Sequence, residues 1–64
     1  MPYETIEDWK QEIRNIFKAE AGCSDHFCNV QADAFEEMHS EDWPDVPTPR
    51  ECFEDELQEW ASNC

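Results

Sequence analysis

Apolar residues recur at helical spacing in three separate stretches of this chain, and nowhere do they alternate as a half-buried strand requires. The first stretch is Ile6, Trp9, Ile13, Ile16 and Phe17. The second is Phe27, Val30, Ala34 and Met38, with Phe35 flanking. The third is Phe53, Leu57, Trp60, Ala61 and Cys64, at i, i+4, i+7, i+8 and i+11, a spacing that puts them on one helix face.

The residues between the stretches supply matching start and stop signals. Thr5-Ile6-Glu7-Asp8 offers an N-cap with an acid at the third helical position. Gly22, the single glycine, is a natural C-terminal stop, and Ser24 or Asp25 can cap the next helix, which ends around His39. From Ser40 to Pro47 two prolines interrupt a stretch without periodicity, which reads as an extended connection. Thr48-Pro49-Arg50-Glu51 is the clearest local signal: a cap, proline at the first helical position, and an acid completing the capping box. The expected helices are therefore 5–21, 25–39 and 49–62, with an acidic, proline-containing loop over 40–48. A chain of 64 residues supports one small domain, near the lower limit for a single apolar core. The expected fold is all-α, a compact three-helix bundle occupying 1–64 in which the third helix runs antiparallel to the second.

The net charge of −13 far exceeds what solubility requires, and it is unevenly placed. In residues 1–20, Glu4, Glu7, Asp8, Glu12 and Glu20 face Lys10, Arg14 and Lys18, a balance of −2. From Ala21 onward twelve acids oppose Arg50 alone, a balance of −11. Direct binding of nucleic acid is not expected with this balance, because it needs clustered Lys and Arg. Asp33, Glu36 and Glu37 lie toward the end of the second helix with no base near them in the sequence, against the preference of a helix C-terminus for cations. Glu41, Asp42 and Asp45 continue the run through the loop, and Glu51, Glu54, Asp55, Glu56 and Glu59 carry it over the third helix. Residues three or four apart on a helix lie about 5–6 Å from one another, so Glu51, Asp55 and Glu59 form a row with Glu54 beside it. That spacing is on the scale of phosphates along a nucleic-acid strand. Trp43, in the middle of the acidic loop, is expected either to fold back as a lid over the core or to stand out as a binding anchor.

In size, charge, compactness and want of catalytic equipment, the whole chain resembles the small acidic phage proteins that block host defences, anti-CRISPR inhibitors and DNA mimics among them. No sequence motif carries the resemblance. It implies a non-enzymatic inhibitor that fills the basic, nucleic-acid-binding surface of a host complex in the cytoplasm, as a monomer or homodimer and without a cofactor. Asp33, Glu36, Glu37, Glu41, Asp42, Trp43, Asp45, Glu51, Glu54, Asp55 and Glu59 are then the expected partner-binding residues. Two other readings are a helical adaptor or antitoxin-like module that docks an apolar face into a partner, and a small secreted effector braced by disulfides.

Cys23, Cys28, Cys52 and Cys64 are the residues on which the last reading depends. The N-terminal Met1-Pro2-Tyr3-Glu4 has neither a basic nor an apolar region of the signal-peptide kind, and no apolar run has membrane-spanning length, so reduced thiols are expected. In an antiparallel bundle Cys64 falls near Cys23 and Cys28, which leaves room for one bridge from Cys64 to either, while Cys52 lies too far along its helix to join them. Cys23, His26, Cys28 and Cys64 could surround zinc, but their spacing matches no paired zinc-ligand pattern, and no metal is expected. His26 beside Cys23 or Cys28 lacks the orienting third group and pocket that a nucleophilic dyad needs, so no enzymatic activity is expected.

Overall fold

The computed structural model describes residues 3–62 and shows an all-α fold of three helices: α1 (Ile6–Ala21), α2 (Asp25–His39) and α3 (Pro49–Ser62). No strand is present among the described residues. Each helix begins at a side-chain cap. The Asp8 amide donates to Thr5 Oγ1 at 3.2 Å, the Phe27 amide to Ser24 Oγ at 3.2 Å and the Glu51 amide to Thr48 Oγ1 at 3.2 Å. These bonds satisfy amide groups that the first turn leaves without an intrahelical partner. α1 ends at Gly22, whose φ of 66° lies in the left-handed region where a Cβ is unwelcome, and whose amide donates back to the Lys18 carbonyl at 3.2 Å. The connection after α2 is not wholly extended: Ser40–Asp42 form one 3-10 turn before the chain straightens.

α1 is the element on which the others pack. α2 runs antiparallel to it, as shown by Lys18 bonding Asp25 near the Gly22 turn and by the edge of Trp9 meeting His39 at the far end, ring centroids 6.1 Å apart. α3 returns across α1, placing Phe53 edge-on to Phe17 at 5.0 Å and Trp60 against both Phe17 at 6.0 Å and Phe27 at 5.9 Å. The loop between α2 and α3 is held down where the Trp9 indole N–H donates to the Pro47 carbonyl at 2.9 Å. The core consists of Trp9, Ile13 and Phe17 from α1, Cys28, Ala32 and Phe35 from α2, and Cys52 and Phe53 from α3.

Two helix faces differ from the sequence expectation. On α2 the buried face is Cys28, Ala32 and Phe35, while Val30, Ala34 and Met38 face solvent. On α3 it is Pro49, Cys52 and Phe53, with Leu57 and Ala61 exposed. The cause is the same in both helices. Part of each buried face is made of small side chains, Cys28, Ala32 and Cys52, and these carry less weight in an apolar pattern than Val, Met or Leu.

Candidate functional site

The four cations are all consumed inside the fold. Lys10, almost fully buried, reaches across from α1 to α2, its Nζ 2.8 Å from Asp33 Oδ1, 3.0 Å from Glu36 Oε1 and 3.7 Å from Glu7 Oε2. Arg14 pairs with Glu7 at 3.0 Å, Lys18 with Asp25 at 2.6 Å and Arg50 with Glu20 at 3.2 Å. The expectation that Asp33 and Glu36 have no base is thereby corrected. Their base comes from the neighbouring helix, which local sequence cannot show. The hydrogen bond from Lys10 holds the Asp33 carboxyl below its ordinary range, and the bond from Arg14 does the same for Glu7. Lys10 is pushed the other way, chiefly by its bond to Asp33.

The remaining predicted carboxylates are disposed differently. Glu37, Glu41, Asp42, Asp45, Glu51, Glu54, Asp55 and Glu59 are exposed, and among the described residues none of them forms an ion pair. Glu56, half-buried, accepts a hydrogen bond from the Trp60 indole N–H at 3.0 Å. Trp43 lies half-buried on the core in an edge-to-face arrangement with Trp9, centroids 6.4 Å apart. Of its two expected placements it takes the lid. The acidic face therefore runs from the C-terminal end of α2 through the loop to the solvent side of α3, with Asp33 and Glu36 withdrawn from it into the Lys10 cluster.

A cleft of about 750 Å³ opens along this face between α2 and α3. Phe35, Pro47, Cys52 and Trp60 line its inner part, Met38 stands on the α2 side, and Asp55, Glu56 and Glu59 border it on α3. It exists because α2 and α3 touch each other far less than each touches α1. The sequence reading missed it by placing Met38 in the core.

The thiols of Cys23, Cys28 and Cys52 are free. Cys64, the expected bridge partner of Cys23 or Cys28 and the fourth member of the weighed zinc set, lies outside the described residues. Among the described residues no group of three or more His, Cys, Asp or Glu side chains is arranged to hold a metal ion. Burial pushes the Cys28 thiol up and pushes Cys52 up to about 11, with the Asp55 and Glu51 carboxylates adding to the latter. Such thiols are poor nucleophiles near neutral pH, because little thiolate is present.

These shifts give an alkaline limit to stability. An unfolded thiol ionises near pH 9, whereas folded Cys52 keeps its proton to about 11, so between these values the unfolded state has lost a proton that the folded state retains. Lys10 acts in the same direction: its cluster contributes fully below the ordinary lysine range and is lost as pH rises through its raised folded value. The urea midpoint of the reduced protein is expected to fall steadily above about pH 9, and Cys52→Ala should make that fall shallower. A midpoint that stays level to pH 11 would contradict this account. On the acid side Asp33 and Glu7 contribute above the ordinary carboxylate range, and their contribution is lost as pH falls through their lowered values.

Fold and site define a small, strongly acidic three-helix protein with an acidic face that forms no ion pairs among the described residues. No protein-family model matches the chain, and no curated protein and no solved structure matches it. Among the described residues no helix is long and apolar enough to cross a membrane.

Proposed function

We propose that this protein is a non-enzymatic inhibitor that binds the basic, nucleic-acid-binding surface of a cytoplasmic protein complex and blocks access of nucleic acid to it. The observation that carries the reading is the division of charge. Every Lys and Arg is paired within the chain, while the loop and α3 present exposed carboxylates that have no counter-charge among the described residues. A face of this kind costs self-repulsion in the free protein and is relieved when a basic surface covers it. The row Glu51, Asp55 and Glu59 stands in for backbone phosphates, and charge-assisted bonds from Arg or Lys of the target would hold it. The small acidic phage inhibitors that the chain resembles act by such occupancy, and nothing beyond occupancy is required here.

Field complementarity accelerates encounter and makes affinity sensitive to ionic strength. A pull-down from host extract at low salt is expected to retain a nucleic-acid-binding protein. Its affinity should drop by at least about tenfold between roughly 0.05 M and 0.3 M salt, and excess DNA should displace it. A purified partner whose binding is indifferent to both salt and nucleic acid would sink the proposal.

A further inference from the structure

We infer that the cleft between α2 and α3 seats a cationic amphipathic segment of the partner, with its apolar side chains between the helices and its Lys or Arg on the α3 carboxylates. The inference rests on the proposed acidic-face function and adds where and how contact is made.

The apolar part of the argument comes from α2. Met38 is 65% exposed and Val30 47%, and with Ala34 between them they follow one another at i, i+4 and i+8 along a single shoulder of the helix. This shoulder is not used by the core, and its Met38 end stands at the mouth of the cleft. Met is the side chain best suited to adapt to an incoming apolar group, being unbranched and polarizable. Behind it Trp60 and Pro47 are half-buried, so the lining is only partly covered by the protein itself. Along α3 the cleft extends from Cys52 to Ser62, about 15 Å at the helical rise, which matches two to three turns of a docked helix with anchors at i, i+3 or i+4, and i+7.

Charge selects the occupant. Asp55, Glu56 and Glu59 border the cleft, and among the described residues neither Lys nor Arg lines it. A neutral or anionic segment would satisfy the apolar lining but leave its own polar groups against these carboxylates. A second copy of this chain would bring another thirteen net negative charges and the same acidic border into contact with the first. Only a segment with apolar anchors and flanking cations complements both features.

The test uses the full chain, isotopically labelled, and two synthetic peptides of equal length and equal Lys content. One is a Lys/Leu amphipathic helix, the other a Lys/Ser peptide. The Lys/Leu peptide is expected to bind at least about tenfold more tightly, because burying even a few methylene groups contributes that much. It should shift the Met38 and Cys52 amides and the Trp60 indole N–H. Met38→Gln, at an exposed position, should weaken the Lys/Leu peptide about threefold to fivefold and leave the Lys/Ser peptide unchanged. Equal affinity for the two peptides, or shifts confined to Glu41–Asp45 and the outer side of α3, overturns the cleft while leaving the acidic-face function standing. Failure of both peptides to bind overturns the cleft and counts against that function as well. A free protein that sediments as a dimer with its cleft amides protected identifies a second copy as the occupant, which also overturns the inference.

Discussion

Phe17→Ala is expected to leave the chain unfolded at room temperature, with loss of the near-ultraviolet tryptophan signal and of most helical circular dichroism. Phe17 is fully buried, and rings from both other helices meet on it: Phe35 of α2 at 6.2 Å, and Phe53 and Trp60 of α3 at 5.0 Å and 6.0 Å. Truncating a buried Phe costs about 3–5 kcal/mol, and each lost aromatic pair adds about 0.5–1.5 kcal/mol at most. A core of this size rarely supplies more than about 3–5 kcal/mol of net stability. The substitution therefore removes roughly all of it. Phe17→Leu keeps most of the apolar volume and should remain folded with a lowered midpoint. Val30→Ala is the informative control, because Val30 belongs to the apolar stripe that the sequence suggests for α2 but stands 47% exposed. Its cost should stay within about 0.5 kcal/mol. A cooperative, folded Phe17→Ala protein, or a Val30→Ala protein that unfolds, would show that the core has been assigned to the wrong helix faces.

The control also marks where sequence reasoning succeeded and where it stopped. The helix starts and the end of α1 were legible because they are set by local chemistry: Thr5, Ser24 and Thr48 accept amide hydrogen bonds three residues on, and Gly22 is the one residue with a positive φ among the described residues. The face of α1 was legible as well, since Trp9, Ile13 and Phe17, the buried apolar residues of that helix, all lie on the stripe that its helical spacing marks. α2 and α3 were harder to orient. The residues buried there include Cys28, Ala32 and Cys52, whose small side chains make a faint periodic signal beside Val30, Met38 and Leu57. The Lys10 cluster depends on residues 26 positions apart in the case of Glu36, a relation that helix spacing alone does not contain. The cleft followed from the same rotation, because it opens where the apolar stripe of α2 turns away from the core.

On the proposed function, Glu51→Lys, Asp55→Lys and Glu59→Lys combined are expected to abolish inhibition and to reduce affinity for a basic partner by at least about a hundredfold, or about 3 kcal/mol. The three carboxylates are exposed, form no ion pair among the described residues and lie on one side of α3. Replacing them takes the net charge from −13 to about −7 and converts the attractive row into one that repels a cationic surface. Much of the loss should appear in the association rate, since exposed charges act mainly by steering encounter, and it should shrink as salt is raised. Folding is expected to survive. The side chains do not contribute to the core, and the backbone bond from the Glu51 amide to Thr48 Oγ1 is independent of the side chain at 51. The only local cost is a cation in the first turn of α3, about 0.3–1 kcal/mol against the helix dipole, partly offset by reduced repulsion elsewhere. An inhibitor that works through its apolar shoulder alone would tolerate the triple change with little loss, and that result would remove the carboxylate row from the mechanism. Reversing Glu7 instead leaves that face unchanged and breaks the Arg14 and Lys10 contacts, so it should lower stability while sparing partner affinity in the folded fraction. Opposite responses of the two variants would separate the charges that hold the fold from those that the proposed function assigns to the partner.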